Sequence, residues 1–123
     1  MIDIKNIHKS AGIIIKNRKL LVEKDFDKEF FISPGGKLED GETSEQALIR
    51  ELNEEFKIDV LENDLEHFGH FDAPASGQEE RTVHMDVFIV KKFTGKIQKG
   101  HKAGCAQFLF DLFNRLFFLL SCN

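Results

Sequence analysis

The sequence predicts a small α/β or α+β domain built from short strands and two helices. Three observations point there. Apolar runs of three or four residues recur, cut by turns containing Gly, Pro and Asn. One segment, Ser44 to Phe56, carries apolar residues at helical period behind a capping signal. A long stretch, Thr82 to Lys92, alternates as a strand does, with Val83, Met85, Val87 and Ile89 on one face. The 123 residues suit one domain around one core, and no repeat, low-complexity tract or linker divides them, so residues 1–123 read as a single domain.

Taken in order, Ile13-Ile14-Ile15 and Leu20-Leu21-Val22 read as two strands joined by a tight turn at Lys16-Asn17-Arg18-Lys19. Phe30-Phe31-Ile32 is a third short strand, stopped by Ser33-Pro34-Gly35-Gly36, and Asp40-Gly41 marks a second turn. Thr43 with Gln46 forms a capping box, Ser44 being the alternative cap, and the helix that follows turns Leu48 and Leu52 to the core. Ile58-Asp59-Val60 and Leu65 to Phe71 are further strands. Asp72 to Glu80, with Pro74, Ser76, Gly77 and many polar residues, reads as a loop. Lys96 to Gly104 is a basic loop, and Asp111 to Leu120 is expected to be a helix with an apolar face.

An apolar fraction of 41% beside 31% charged residues fits a globular chain rather than a disordered one. The net charge of −4 offers no general attraction to a nucleic acid polymer, so any polyanionic substrate must be held locally by cations or metal. The two cysteines, Cys105 and Cys122, lack ligand spacing and make no disulfide framework, which points to a reducing cytoplasm. Met1 to Ser10 lacks a signal-peptide pattern, and the most apolar stretch, Phe108 to Leu120, is interrupted by Asp111, Asn114 and Arg115; no membrane association is expected.

The chemistry concentrates between Gly36 and Ile58. Glu51, Glu54 and Glu55 stand at i, i+3 and i+4, which puts three carboxylates on one side of a helix. Like charges so close repel, and Arg50 alone cannot neutralise them. A hard divalent cation can, since Mg²⁺ takes carboxylate oxygens while sharing its coordination with water and substrate phosphates. Ahead of the helix, Gly35-Gly36 lets backbone approach a metal or phosphate closely, Lys37 is a candidate phosphate contact, and the helix N-terminus adds a positive field.

This arrangement resembles the Nudix box, Gly-x5-Glu-x7-Arg-Glu-apolar-x-Glu-Glu-x-Gly-apolar. Gly36, Glu42, Arg50, Glu51, Leu52, Glu54, Glu55 and Ile58 occupy matching positions, and Lys57 stands where the family has glycine. That glycine follows the helix, where a left-handed residue is wanted and Lys costs about 1 kcal/mol relative to Gly. The resemblance implies the Nudix fold, an α/β/α sandwich with a mixed sheet and a loop–helix–loop box. It implies hydrolysis of a nucleoside diphosphate linked to another moiety, with Mg²⁺ or Mn²⁺ as cofactor. Glu51, Glu54 and Glu55 would then bind metal with the Gly35 carbonyl, and Glu42 would support the loop or a metal site. Gly36 and Lys37 would meet the substrate. Arg50 would orient a glutamate, and Glu51 would take the proton of the attacking water, with Arg50 and Glu54 completing the catalytic set.

Many family members carry a later glutamate as ligand or base; Glu79 and Glu80 could substitute for it if their loop folds inward. His67, His70 and His84 read as surface or satisfied strand histidines, His101 as a possible phosphate contact, and Cys105 as no nucleophile. The segment from about residue 101 is atypical for the family, and its phenylalanines offer a homodimer contact or simply close the core. Against the hydrolase stand two other readings: a Nudix-fold module that binds or senses a nucleotide without turnover, and an interaction protein working through its tail. The complete set of box glutamates separates the hydrolase from the binding module, and sedimentation with and without residues 106–123 separates the third.

Overall fold

The computed structural model describes residues 4–25, 32–98, 104–111 and 115–116. Among the described residues, eight strands form two four-stranded sheets. The first sheet is built from β1 (Asn6–Ile13), β4 (Gly35–Lys37), β5 (Leu65–Ala75) and β6 (Gln78–Val90) in the order β4-β1-β6-β5. Its centre pair, β1 and β6, is parallel, whereas β1–β4 and β5–β6 are antiparallel, so the sheet is mixed. The second sheet is antiparallel, with β2 (Ile15–Lys16), β3 (Lys19–Asp25), β7 (Gly104–Asp111) and β8 (Arg115–Leu116) in the order β2-β3-β7-β8. The chain passes from one sheet to the other at Ile14, which is fully buried and whose carbonyl accepts the Leu21 amide at 2.9 Å. The expected tight turn follows: Asn17 and Arg18 both have positive φ, the pattern of a two-residue hairpin whose twist matches that of its strands.

Helix α1 (Ser44–Phe56) begins and ends as the sequence predicts. The Thr43 hydroxyl accepts the Gln46 amide at 3.1 Å, and the Gln46 side chain accepts the Thr43 amide at 3.0 Å. Ala47, Leu48, Leu52 and Phe56 form the buried stripe, and the last three meet Ile14, Leu21, Ile58, Val60, Phe88 and Val90 in one core. A fully buried leucine such as Leu48 or Leu52 contributes roughly 2–3 kcal/mol by its removal from water. At the C-terminus Lys57 takes the left-handed conformation, φ 60° and ψ 32°, and its amide closes onto the Asn53 and Leu52 carbonyls.

Three expectations are corrected. Asp72 to Glu80 is no loop: β5 continues to Ala75, β6 starts at Gln78, and only Ser76-Gly77 turns. The alternation signal fades there because every residue from Asp72 to Glu80 except Ala75 is exposed, and Pro74 is tolerated because β5 is an edge strand. Ile58-Asp59-Val60 is not a strand in a sheet but a single bridge, Asp59 to Thr94. The helix expected over Asp111 to Leu120 fails where it is described, since Asp111 ends β7 and Arg115–Leu116 form β8. Residues 112–114 and 117–120 of that segment lie outside the described residues, as do Phe30-Phe31 of the third strand, whose Ile32 bridges Glu23. Among the described residues no helix is long and apolar enough to cross a membrane.

Candidate active site

The site begins with a strand too short to do anything but present backbone. β4 pairs with β1 so that Ser10 faces Gly36 and Ala11 faces Gly35. Gly35, at φ 148°, lies so close to β1 that a Cβ would stand 2.0 Å from the Ser10 carbonyl oxygen. A Cβ on Gly36 would stand 2.5 Å from Glu51 Cδ. The volume a side chain would fill is thus occupied by the Glu51 carboxylate, which is how a glycine before the helix and a glutamate two turns into it become neighbours.

Arg50 sits at the centre of the acidic cluster. Its Nε donates to Glu42 Oε2 at 2.8 Å and its Nη2 to Glu42 Oε1 at 3.0 Å, a forked pair. Nη1 reaches Glu51 Oε1 at 3.0 Å and Glu54 Oε2 at 3.3 Å, and Nη2 also donates to the Lys37 carbonyl at 3.0 Å. Glu39 lies 3.7 Å away. The Arg50 guanidinium is held protonated above its usual range, chiefly by Glu42 and then Glu51 against the opposing effect of burial. Glu42 is held below the ordinary carboxylate range by Arg50 first and by the Glu39 amide, which donates to it at 2.8 Å. Among the described residues one positive charge therefore faces four carboxylates, and the cluster keeps a net negative charge that a divalent cation would offset. Glu55 follows on the helix, half-buried, and the Lys37 side chain is exposed at the end of β4.

Sequence reasoning misses Asp86. It lies inside the alternating strand β6, opposite Ser10 on β1 and His70 on β5. Its Oδ2 accepts the Ser44 hydroxyl at 2.6 Å, tying the sheet to the first turn of α1, while its Oδ1 lies 3.0 Å from His70 Nδ1 and 3.2 Å from His67 Nε2. Burial pushes the Asp86 carboxyl up, but the hydrogen bonds from Ser44, His70 and His67 outweigh it and hold the group at about 2. Ser10, its neighbour, is 1% exposed, and its hydroxyl has no partner among the described residues. One rung further along, His84 Nδ1 lies 2.6 Å from Asp72 Oδ1, which is also 2.8 Å from His70 Nε2. The strand histidines are thus satisfied, as expected. Their arrangement also makes a group of potential ligands, His70, Asp72 and His84, with one ligand atom from each within 4.8 Å of the others.

Glu79 and Glu80 do not join the box. They begin β6, six residues or more before Asp86, which is about 20 Å along a strand. His101 lies outside the described residues, and only the backbone of Cys105, in β7, is described.

A family model described as the NUDIX domain matches residues 6–113. The chain belongs to the Nudix family. Its mixed sheet and loop–helix–loop are those of the Nudix α/β/α fold, and it is a Nudix-type pyrophosphohydrolase. Among its relatives is an 8-oxo-dGTP diphosphatase of Proteus vulgaris, 34% identical over 110 residues that cover 85% of this chain and 93% of the relative. An ADP-ribose pyrophosphatase of Methanocaldococcus jannaschii is 35% identical over 106 residues, 84% of this chain and 60% of that protein. Among solved structures, a MutT from a comparison of Aliivibrio salmonicida and Vibrio cholerae superposes with a TM-score of 0.70 at 32% identity, covering 85% of this chain and 80% of its own. MutT of Burkholderia pseudomallei, at 18% identity and a TM-score of 0.72, shares the fold over 95% of this chain and 91% of its own.

Proposed function

We propose that this Nudix enzyme hydrolyses a nucleoside diphosphate linked to another moiety, by water attack on the diphosphate and with Mg²⁺ or Mn²⁺. The observation that carries the reading is the Gly36–Glu51–Arg50 contact set, in which a glycine strand and four carboxylates converge on one guanidinium. The donor set fits a hard cation: it is all oxygen, it is in charge excess, and the Glu51 carboxylate occupies space that only glycine at 36 leaves open. Glu51, Glu54 and Glu55, with the Gly35 carbonyl, would hold the ion. When bound, it would neutralise the diphosphate and lower the pKa of the attacking water.

The residues divide that work. Arg50 aims Glu51 and Glu54 and anchors the loop through Glu42 and the Lys37 carbonyl. Both Glu42 oxygens are taken by Arg50 and the Glu39 amide, which favours loop support over metal binding for Glu42. Glu51 or Glu54 accepts the proton of the attacking water, and the exposed Lys37 meets a substrate phosphate. An oxidised purine deoxynucleoside triphosphate is the first substrate to try, because a relative of that activity aligns over nearly its whole length. The test is product release from a panel of dNTPs, 8-oxo-dGTP, ADP-ribose, nucleotide sugars and dinucleoside polyphosphates. Metal-dependent turnover of at least one member is expected. A folded, metal-binding protein that turns over none of them would favour the binding-module reading.

A further inference from the structure

The side chains of His70, Asp72 and His84 come from two adjacent strands and meet in register, Asp72 opposite His84. Each imidazole has its second nitrogen occupied by an acceptor. His70 Nδ1 faces the Asp86 carboxylate at 3.0 Å, and His84 Nε2 faces the Asn6 side-chain oxygen at 2.7 Å. An acceptor at the far nitrogen can hold the ring proton there, which makes the lone pair of the near nitrogen available to a metal ion. His70 Nε2 and His84 Nδ1 both reach Asp72 Oδ1, at 2.8 and 2.6 Å, so all three ligand atoms converge on one point. The group needs a positive charge, supplied by a second proton on His70, whose pKa Asp86 and Asp72 raise, or by a metal ion that displaces that proton. Oriented imidazoles backed by a carboxylate and an amide are also the usual outer support of a metal-bound histidine.

We infer that His70, Asp72 and His84 form a second divalent-cation site, of the zinc type, separate from the box. Two imidazole nitrogens and one carboxylate oxygen are a borderline-soft set, which selects Zn²⁺ or Co²⁺ over Mg²⁺ and leaves a fourth position open. The box, being all carboxylate oxygen, has the opposite preference. His70 and Asp72 are about half exposed and His84 about a quarter, so a rotation of the Asp72 carboxylate makes room for the ion and solvent can deliver it. His8 stacks on His84 at 5.0 Å between ring centroids and braces that ring. Through Asp86, which contacts both His70 and Ser44, the site is joined to the first turn of the helix that carries the box.

The experiment is titration with Zn²⁺ by calorimetry and with Co²⁺ by visible absorption, at pH 7.5. It uses the whole chain as wild type, as the box variant Glu51→Gln/Glu54→Gln, and as His70→Ala and His84→Ala. The inference expects a nitrogen-and-oxygen-ligated Co²⁺ band and one zinc equivalent that persist in the box variant. Both weaken by about 100-fold or vanish in each histidine variant. Should either histidine variant unfold, selective broadening of the His70 and His84 ring resonances by Co²⁺ in the wild-type protein gives the same answer. Unchanged zinc binding in His70→Ala and His84→Ala, a Co²⁺ band lost with the box glutamates instead, or no broadening of those two rings overturns it.

Discussion

Gly36 has no side chain, and the consequence is chemical rather than conformational. A methyl group there would stand 2.5 Å from Glu51 Cδ, so Gly36→Ala must push the Glu51 carboxylate away from Arg50 Nη1 or push β4 away from β1. A displacement of about 1 Å at a catalytic group costs about 100-fold in rate. We expect that loss in kcat for Gly36→Ala with little change in thermal midpoint, because Glu51 lies at the edge of the core and can swing outward. A retained kcat would mean that the Glu51 position does not matter to the reaction. Lys57 is the converse case, a side chain where the backbone would prefer none. At φ 60° it strains the end of α1, and Lys57→Gly is expected to add about 1 kcal/mol of stability, read as a rise of a few degrees in thermal midpoint with activity unchanged.

Between elements, Asp86 is the clearest tie, joining β6 to α1 through Ser44 and to β5 through His70. Its carboxyl is held at about 2, below the 3.8 of an unperturbed aspartate, so the stability it adds is complete above about pH 4 and fades as pH falls toward 2. That contribution is about 2 kcal/mol. Urea unfolding of metal-free wild type and Asp86→Asn should differ by about that much at pH 6 and by about half as much at pH 3. An equal difference at both values would place the effect in packing rather than charge. Helix α1 was legible residue by residue, from its capping box to its left-handed end, because each signal is local in sequence. Asp86 and the histidine rungs were not, because they assemble from β1, β5 and β6, and a strand pattern does not say which strand will lie beside it. The second half of β5 was misread for a related reason: on an edge where all but Ala75 is exposed, little burial enforces alternation.

Across the whole molecule, the two sheets and α1 enclose one core, and one face of the mixed sheet carries both polar assemblies. Register makes this so. Ser10 is opposite Gly36 on one side and Asp86 on the other, and directly opposed residues share a face. The face under α1 therefore runs from the box glycine through the buried Ser10 hydroxyl to Asp86 and the His70–Asp72–His84 group. The box was legible because its residues keep a fixed order over 23 positions, whereas this wider polar face required the fold. The segment from residue 101 keeps a sheet role through β7 and β8, which line up beside β3. Whether the carboxylates around Arg50 perform metal-dependent hydrolysis is decided by one comparison: turnover of 8-oxo-dGTP and ADP-ribose by wild type and Glu54→Gln, each with Mg²⁺ and with excess chelator. We expect wild-type turnover that chelator abolishes and Glu54→Gln reduces by about 100-fold or more. Turnover that survives chelator, or that Glu54→Gln leaves intact, would contradict a role for these carboxylates in holding the catalytic ion.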